Sequence, residues 1–555
     1  MISRTTLSLL FPAYLAAALP SNRNSSLTWA PCDINFPESL ESAITTPIEC
    51  ANLAVPLDYT NPKFGKTVQL QLVRIPATQQ PAKGSIIFNP GGPGGSGVQE
   101  VSTEGQKYLD VFKGQYNIVG FDTRGVGRTI PYTCGIAGGS TDGPDLKRRA
   151  NITTLPQQSG DDVFEFLKSK SWDDNRIFAD KCEKSHADIG RFVNTAFIAR
   201  DLLAIVDALG EDGLLRFWGR SYSTVLGQTF AAMFPDRVGR LLLDSVVKAS
   251  DYNDGSWQSA IHDTDKALLN FFSECIKSGP TNCPLANFSG PATTPADLMN
   301  GLSNIFQELI ENPIILPDAY PIVPPWWQPG GIPLYHEIKY TIFTQLYKPS
   351  NFGALITILG DVYRKNWSAW TNLTAADLPS GPAPETWNPQ QSIALFGIAC
   401  SDSTFRAKKP EDMYNLIQAQ AGQGVFADAS TSTQFWTCAQ WPFHAAERYE
   451  GNYRDICTKN PILLANNVFD PVTPLTRAWD VAFGFKGSRM LVQNGHGHGI
   501  MNHPSNCTME AINNYFDSGV LPDHGTVCEP NQSAYEVALE AAQAALAAQN
   551  ATGGI

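Results

Sequence analysis

The sequence predicts an α/β protein in which a mostly parallel, doubly wound sheet is interrupted by a helical insertion. Short apolar runs at residues 84–88, 116–121 and 214–218 each lead into a turn that contains glycine, and the later runs are separated by helical patterns. Strands that alternate with helices indicate a parallel sheet covered on both faces. After Asp244 the alternation gives way to helical stretches, and strand patterns resume only near residue 461. The sheet is therefore expected to be split in two along the chain.

The individual elements follow from local patterns. Alternating apolar residues from Val68 to Leu72 predict a half-buried strand. A helix is predicted over 195–209, where apolar residues recur at helical spacing and Gly210 supplies a stop. A second helix is predicted over 222–234 and closes at Pro235. The late strands are expected at 461–465 and 488–492.

Composition limits the classes of function. The chain has 555 residues, of which 43% are hydrophobic and 17% charged, which is ample for a packed core and excludes a disordered chain. Its 40 basic residues against 53 acidic ones give a net charge of −13. A general nucleic-acid or anionic-membrane binder would carry the opposite sign, so neither partner is expected. After the N-terminus no run of 18 apolar residues occurs, and no membrane span is expected.

The N-terminus predicts export. Arg4 precedes an apolar run over 7–19 that is too short to span a bilayer, and Ala16 and Ala18 are small residues of the kind that precede signal cleavage. We expect cleavage after Ala18, a mature charge of −14 after the loss of Arg4, and a secreted, extracellular protein. The alternative is a buried N-terminal helix.

Cysteines and glycosylation sequons agree with an oxidising secretory route. The eleven cysteines lack the C-x-x-C spacing of zinc or redox motifs. Short loops favour the pairs Cys32–Cys50, Cys275–Cys283, Cys400–Cys438 and Cys507–Cys528, then Cys134–Cys182, and leave Cys457 over. Sequons, each weak evidence alone, begin at Asn24, Asn151, Asn287, Asn366, Asn372, Asn506, Asn531 and Asn550.

Five segments are expected along the chain. They are a signal peptide over 1–18, the first part of the sheet domain over 19–250, a helical insertion over 251–390, the second part of the sheet domain over 391–530, and an alanine-rich tail over 531–555. The insertion contains a proline-rich loop at 313–333 with two tryptophans. The tail reads as a surface helix with no evident chemistry.

The turn after residue 218 carries the first chemical signal. Gly219-Arg220-Ser221-Tyr222-Ser223 lies where a predicted strand reverses into a predicted helix. Small residues two positions before and after a serine allow the strained turn that projects a nucleophilic hydroxyl above a sheet. The alternative is that Ser221 merely caps the helix, a position that serine also favours.

A serine nucleophile needs a base and an acid that follow in the right chain order. The late strands are followed by Asp470-Pro-Val-Thr-Pro and by Gly497-His498-Gly499, so Asp470 is predicted as the orienting acid and His498 as the base. Asp244 competes with Asp470, and His496 competes with His498. A third alternative takes His496, His498 and His503 as metal ligands, although no carboxylate or cysteine pattern of a metal site accompanies them.

The loop over 89–97, Asn-Pro-Gly-Gly-Pro-Gly-Gly-Ser-Gly, is predicted to form an oxyanion hole. Glycines let backbone N–H groups approach a developing negative charge. No G-K-[ST] follows, and no dinucleotide-type G-x-G-x-x-G with a distal acid occurs, which argues against a phosphate loop. Gly92 and Tyr222 are predicted as the two donors.

With these residues in place, the chain resembles the secreted tripeptidyl-aminopeptidase branch of the α/β-hydrolase serine peptidases, which also holds proline iminopeptidases. The matching segments are 89–97 (NPGGPGGSG), 121–127 (FDTRGVG), 219–223 (GRSYS), 470–474 (DPVTP), 497–499 (GHG) and 505–528 with its two cysteines. Ser223 departs from the family's common glycine. The resemblance implies an α/β-hydrolase fold with a helical cap, acting on peptides from the N-terminus.

The resemblance also implies that acidic cap groups hold the substrate's α-ammonium. Residues of that kind here are Asp251, Asp254, Asp263, Asp265, Glu308, Glu311 and Glu337, and the sequence does not choose among them. We expect a monomeric serine hydrolase without cofactor or metal, acting on a peptide or a small-molecule acyl substrate. Two alternatives stay open: an ester, lactone or amide hydrolase for a small metabolite, and a non-catalytic binding protein of the same fold.

Overall fold

The computed structural model of the chain describes residues 27–32, 36–61, 63–135, 155, 160–257, 263–316, 333–371, 387–426 and 432–552. The expected signal peptide, the sequons at Asn24, Asn151 and Asn372, and most of the proline-rich loop at 313–333 lie outside these residues.

A ten-stranded sheet forms the centre of the described protein, in the order β1-β2-β3-β5-β4-β6-β7-β8-β9-β10. Pairs among β1, β2, β3 and β5 are antiparallel, and the remaining pairs are parallel. The strands are Ala30–Pro31, Glu49–Pro56, Thr67–Ile75, Ser85–Asn89, Asn117–Phe121, Leu215–Arg220, Val238–Asp244, Leu463–Phe469, Arg489–His496 and Val527–Cys528. The predicted α/β class is confirmed, whereas the sequence patterns missed β1 and β2, the two antiparallel strands at one side of the sheet.

Seventeen α-helices are described, numbered here in chain order. The first six are Glu38–Glu41, Gly97–Val111, Gly160–His186, Thr195–Leu209, Tyr222–Met233 and Ala249–Asp254, and α7 to α11 are Thr264–Asn282, Pro295–Glu311, Leu334–Gln345, Phe352–Tyr363 and Ser368–Thr371. The remainder, α12 to α17, are Gln391–Asp402, Tyr414–Ala421, Ser432–Ala439, Leu475–Gly484, Asn506–Ser518 and Ala534–Thr552. The helix predicted over 195–209 has these bounds in the structure.

The two faces of the sheet are covered by different helices. Phe217 and Trp218 are neighbours on β6 and therefore point to opposite faces. Phe217 joins a core cluster with Leu202 of α4, whereas Trp218 joins a second cluster with Leu109 of α2 and Tyr515 of α16. This is the doubly wound arrangement expected from alternating strands and helices.

The strand order changes direction at β4, which lies between β5 and β6. In such sheets, ligands bind outside the carboxyl ends of the strands at the point where the order reverses. Asn89, the last residue of β4, pairs in register with Gly219 of β6. The two loops predicted to carry the oxyanion hole and the nucleophile therefore leave the sheet side by side.

The described α-helices between β7 and β8 are α6 to α14, and they form the insertion. Part of the insertion has a hydrophobic core of its own. Helices α7 to α10 supply most of a third hydrophobic cluster, which includes Phe271 and Phe352. The tail helix α17 joins the same cluster through Ala534 and Tyr535, both buried. The tail is thus anchored to the insertion by its first turn, which its alanine-rich sequence did not indicate.

All five predicted disulfide pairs are confirmed, Cys32–Cys50, Cys134–Cys182, Cys275–Cys283, Cys400–Cys438 and Cys507–Cys528. Cys457 is free and exposed, as expected. Within the described ranges, no helix combines the length and the apolar character needed to cross a bilayer.

Candidate active site

The segment 219–223 forms a tight turn between β6 and α5. Ser221 has φ 59°, a left-handed conformation that a non-glycine residue adopts only under strain and that is typical of functional turns. Its backbone N–H donates to the carbonyl oxygen of Asp244 at 2.9 Å. A Cβ on Gly219 would lie 2.5 Å from the carbonyl oxygen of Ser223, so only glycine fits there. This is the geometry of a nucleophile elbow.

Ser223, which departs from the common glycine, has a partner of its own. It is fully buried, and its hydroxyl donates a hydrogen bond to the side-chain oxygen of Asn89. The same oxygen accepts the backbone N–H of Gly91 at 3.1 Å. The substitution therefore connects the elbow to the glycine-rich loop instead of disturbing either.

The glycine-rich loop lies directly against the elbow. Gly91 has φ 93°, and a Cβ there would lie 2.4 Å from the carbonyl oxygen of Arg220 and 2.9 Å from the amide nitrogen of Tyr222. Across the described part of the chain, no hydrogen-bond acceptor faces the amide N–H groups of Gly92 and Tyr222. Both amides remain available to an oxygen that develops negative charge.

Asp122 fixes the far end of this loop. Its fully buried carboxylate accepts the hydroxyl of Ser96 at 2.5 Å and the indole N–H of Trp387 at 2.8 Å, and burial raises its pKa. Arg124, in the same segment, forms a buried ion pair with Asp201 at 2.6 Å. The segment 121–127 therefore has a structural role, since it ties the glycine-rich loop and Trp387 to the sheet.

The acid turn holds Asp470 in a fixed orientation. The fully buried carboxylate accepts the N–H groups of Val472 at 2.8 Å and Thr473 at 2.9 Å, and the Thr473 hydroxyl at 2.7 Å. Its Oδ2 lies 3.0 Å from Nδ1 of His498. A carboxylate in this position selects the tautomer in which Nδ1 carries the proton and Nε2 is free to accept one.

The elbow and the loop that carries His498 are joined through Asp244. While the Asp244 backbone carbonyl accepts the Ser221 N–H, its side-chain Oδ1 accepts the N–H of Ile500 at 3.1 Å. The Gly499 N–H donates to the hydroxyl of Ser245 at 2.8 Å. The Ser221 hydroxyl and the His498 imidazole are not hydrogen-bonded to each other. In serine hydrolases without substrate, the distance between nucleophile and base is often too long for a hydrogen bond and shortens when substrate binds.

The two competing residues have other contacts. The carboxylate of Asp244 is occupied by the Trp218 indole at 3.1 Å and by Ile500, and burial raises its pKa. His496 is stacked on Phe469, and its Nε2 accepts from the Asn270 amide at 2.8 Å. Burial, with the nearby His503, lowers the pKa of His496 to about 3. The structure thus pairs Asp470 directly with His498, whereas Asp244 and His496 make their hydrogen bonds to other groups.

The three histidines do not form a metal site in the structure. His503 accepts the backbone N–H of His496 through Nδ1 and faces the Gln532 carbonyl through Nε2 at 2.8 Å. Its two ring nitrogens are therefore occupied. Throughout the described residues, no cluster of three histidine, cysteine or acidic side chains could hold a metal ion.

The insertion contacts the turn that carries Asp470. At the start of α7, the Thr264 hydroxyl donates to the Pro471 carbonyl at 2.8 Å, and Asp263 beside it is 6% exposed. Burial raises the pKa of Asp263, Lys266 at 3.5 Å opposes that rise, and repulsion from Asp470 adds to it. Of the seven cap acids, Asp263 is thereby placed within electrostatic reach of the acid turn.

A cavity lies beside the Asp470–His498 pair. Thr473, which contacts both members of the pair, also lines this cavity. The walls are mostly apolar, with charged groups among them, and they consist of Val246, Val247, Lys248, Asp251, Tyr252, Trp257, Val472, Thr473, Pro474 and Arg477. The lining places apolar side chains of the insertion next to the turn that carries Asp470.

Sequence reasoning missed several residues that support the site. Asn89, Ser245 and Asn467 each satisfy backbone or side-chain groups of the loops just described. All three stand at or just beyond the carboxyl end of a strand. A polar side chain in or just after an otherwise buried strand was the signal that could have identified them.

Comparisons with known proteins agree with the fold. A family model described as "alpha/beta hydrolase fold" matches residues 84–274, and one described as "TAP-like protein" matches residues 424–528. The chain has the α/β-hydrolase fold.

Its relatives include peptidases. The tripeptidyl aminopeptidase of Streptomyces coelicolor is 25% identical over 528 residues, which cover 94% of this chain and 88% of the relative. The serine protease Hip1 of Mycobacterium tuberculosis is 27% identical over 507 residues, 90% of each chain. Carboxylesterase B of the same species is 25% identical over 500 residues, 87% of this chain and 86% of that one. The chain is thus a serine hydrolase with the α/β-hydrolase fold, similar to tripeptidyl aminopeptidases.

Proposed function

We propose that this chain is an exported aminopeptidase in which Ser221, His498 and Asp470 form the catalytic triad. The observation that supports the proposal most directly is the 3.0 Å contact between Asp470 and His498, whose loop is joined to the elbow of Ser221 through Asp244. The similarity to a tripeptidyl aminopeptidase supports the peptide substrate and cleavage from the N-terminus.

In the proposed reaction, the Ser221 hydroxyl attacks the scissile carbonyl carbon and His498 Nε2 takes the hydroxyl proton. Asp470 stabilises the imidazolium that forms. The N–H groups of Gly92 and Tyr222 donate to the oxyanion of the tetrahedral intermediate, each worth about 2.7 to 4 kcal/mol. Collapse of the intermediate expels the amine, which receives the proton from His498, and water then releases the acyl group by the same steps in reverse roles.

Covalent labelling tests the triad. An organophosphorus reagent is expected to modify Ser221 stoichiometrically in the wild type, as read by mass spectrometry of the modified peptide. Ser221→Ala is expected to lose both labelling and hydrolysis. Labelling at another serine, or full activity in Ser221→Ala, would refute the assignment.

Peptides that differ only at the N-terminus test the aminopeptidase specificity. We expect peptides with a free α-amine to be cleaved, and their N-acetylated counterparts to be cleaved at least 10-fold more slowly. The proposal also assigns the free ammonium to Asp263, whose buried carboxylate would then be shared with Lys266 at 3.5 Å, because opposite charges attract strongly in a buried site. Asp263→Asn should therefore raise KM for free peptides and leave KM for blocked ones unchanged.

Glu308 offers a matched control for Asp263. It also belongs to the insertion, but it is exposed and pairs with Lys365 on the surface. Glu308→Gln should leave KM unchanged for both peptide classes. Equal cleavage of free and blocked peptides by the wild type would count against the aminopeptidase and leave the triad standing.

A second candidate function is ester hydrolysis, since one relative is named carboxylesterase B. The same triad would serve either reaction. Comparing kcat/KM for a tripeptidyl anilide and a p-nitrophenyl ester separates the two. A higher value for the ester would favour the second candidate.

Export and glycosylation belong to the same proposal. Five disulfides fit an oxidising compartment. The sequon asparagines Asn287, Asn366, Asn506 and Asn531 are exposed. We expect the secreted chain to begin at Leu19 and to lose mass when treated with an N-glycosidase, both of which mass spectrometry can check.

A further inference from the structure

Two adjacent buried asparagines on β8, Asn466 and Asn467, contact both loops of the proposed dyad. Both side chains are fully buried. Because neighbours on a strand point to opposite faces, the two amides reach different loops from one rigid element. Neither contacts the imidazole or the carboxylate itself.

Asn467 binds the loop that carries His498. Its amide nitrogen donates to three carbonyl oxygens, those of Gly497 at 2.9 Å, Gly499 at 3.2 Å and His496 at 3.3 Å. Its side-chain oxygen accepts the Gln493 amide at 2.9 Å. These carbonyls flank His498 on both sides, and a buried carbonyl that loses its donor costs about 1 to 3 kcal/mol. The loop therefore has one arrangement that satisfies its backbone.

Asn466 binds the acid turn in the same way. Its amide nitrogen donates to the carbonyl of Thr473 at 2.8 Å, and its oxygen accepts the N–H of Val246 at 2.8 Å. Thr473 is the residue whose N–H and hydroxyl hold Asp470. Asn466 thus acts on the carboxylate through Thr473, as Asn467 acts on the imidazole through the loop backbone.

We propose that Asn466 and Asn467 are positioning residues that set the distance and orientation between Asp470 and His498. The inference rests on the proposed triad for its catalytic meaning. A misplacement of about 1 Å in a catalytic group can lower the rate by about 100-fold. Anchoring both loops on adjacent residues of one strand limits such displacement.

Asn467→Ala and Asn467→Asp test the donor. The alanine variant is expected to lower kcat by about 10- to 100-fold with KM changed by less than about 3-fold, since Asn467 does not touch the substrate. The aspartate variant keeps the shape but turns an acceptor toward three carbonyls, and it should lose more than the alanine variant. Asn467→Ser retains a small donor and serves if neither variant folds. Asn466→Ala should lower kcat in the same range.

Asn175→Ala is the matched control. Asn175 is equally deep, at 2% exposure, and bonds to the Ser171 carbonyl and the Thr437 hydroxyl between α3 and α14. Its loss should lower the unfolding temperature and leave kcat per folded molecule unchanged. A purely structural role for Asn467 would give that same pattern.

Proton NMR supplies a readout that does not depend on turnover. A proton held between His498 Nδ1 and Asp470 should give a low-field resonance that disappears in His498→Gln, and it should weaken or vanish in Asn467→Ala. An unchanged resonance with kcat per folded molecule within about 3-fold of wild type would overturn the inference. If the wild type neither labels nor hydrolyses, the proposed function fails, and the resonance still decides the positioning role.

Discussion

The backbone carbonyl of Tyr347 accepts a hydrogen bond from the backbone N–H of His498 at 2.8 Å. Tyr347 follows the end of α9 in the insertion, and its ring meets the His498 imidazole edge to face with centroids 5.4 Å apart. The carbonyl oxygen also lies 2.5 Å from the position that a Cβ on Gly497 would take. The insertion and the loop of the proposed base are therefore in direct contact, and displacing one displaces the other.

Gly497→Ala should push the His498 loop away from Tyr347 of the insertion. The residue has φ 83°, and the added methyl would press on the Tyr347 carbonyl, so the His498 loop must shift. We expect kcat to fall by about 100-fold. Hydrolysis is measured per folded molecule, with folding followed by circular dichroism.

Gly525→Ala controls for backbone strain. Gly525 has φ 80° in an exposed turn, with nothing within 4 Å of its missing Cβ. It should incur a similar conformational cost, about 1 kcal/mol, and keep wild-type kcat. Equal loss of activity in both variants would show that backbone strain alone, and not contact with Tyr347, accounts for the effect of Gly497→Ala.

Asp470→Asn and Asp244→Asn distinguish the two candidate acids. The first removes the carboxylate that selects the His498 tautomer, and kcat should fall by about 10,000-fold. The second replaces a carboxylate that accepts the Trp218 indole and the Ile500 N–H, and kcat should fall by less than about 10-fold. A larger loss in Asp244→Asn than in Asp470→Asn would reverse the assignment.

His496 should make the protein sensitive to acid. Because its folded pKa of about 3 lies below the value of about 6.5 in an unfolded chain, the unfolded state alone binds the proton between these values. Its contribution to stability is complete above pH 6.5 and falls as the pH drops toward 3. At pH 5 the loss is about 2 kcal/mol. Burial lowers the pKa of His186 and His503 too, which adds to the decline.

Urea unfolding at pH 7.5 and pH 5 measures this decline. In His496→Gln the difference between the two free energies of unfolding should be smaller than in wild type by about 2 kcal/mol. His524 is exposed, and His524→Gln should keep the wild-type difference. An unchanged difference in His496→Gln would mean that His496 does not govern the acid response.

Thiol counting tests the disulfide map. With five disulfides and Cys457 exposed, the oxidised chain should contain one thiol, reactive both in the folded state and in urea. Alkylation followed by mass spectrometry should find the label at Cys457 and none in Cys457→Ser. More than one label in urea would show that a pair is open.

Local chemistry in the sequence predicted a large part of the protein. Glycine and serine around residue 221 indicated a strained turn, because few residue types fit it. The Asp-Pro-Val-Thr-Pro and Gly-His-Gly segments stood after late strand patterns, and the structure puts their acid and base 3.0 Å apart. Short loops between cysteines were enough to predict five disulfides. Strand β1 was missed because its two residues are too few to show a periodicity. Strand β2 was missed although Leu53 and Val55 are buried between exposed neighbours and its partner β3 is the next strand in the chain.

Other features depend on contacts between distant segments. Asp244 and Asp470 both follow strands, and the turn after Asp470 favoured it without excluding Asp244; the contact with His498 depends on the tertiary structure. Serine at position 223 is explained by the hydrogen bond from its hydroxyl to the side chain of Asn89, 134 positions earlier in the chain. The positions of Asn466 and Asn467 under the two loops likewise follow from the pairing of β8 with β9.

The sequence by itself determined the fold class, the strained turn at Ser221, the chain order of the candidate serine, acid and base, and the disulfide pairs. Each of these depends on the intrinsic preferences of residues close in the chain. Only the tertiary structure decided which of two acids and which of two histidines meet, and that the insertion contacts the His498 loop through Tyr347. Those choices are made by hydrogen bonds and burial between segments that are far apart in sequence, where local preference carries no information.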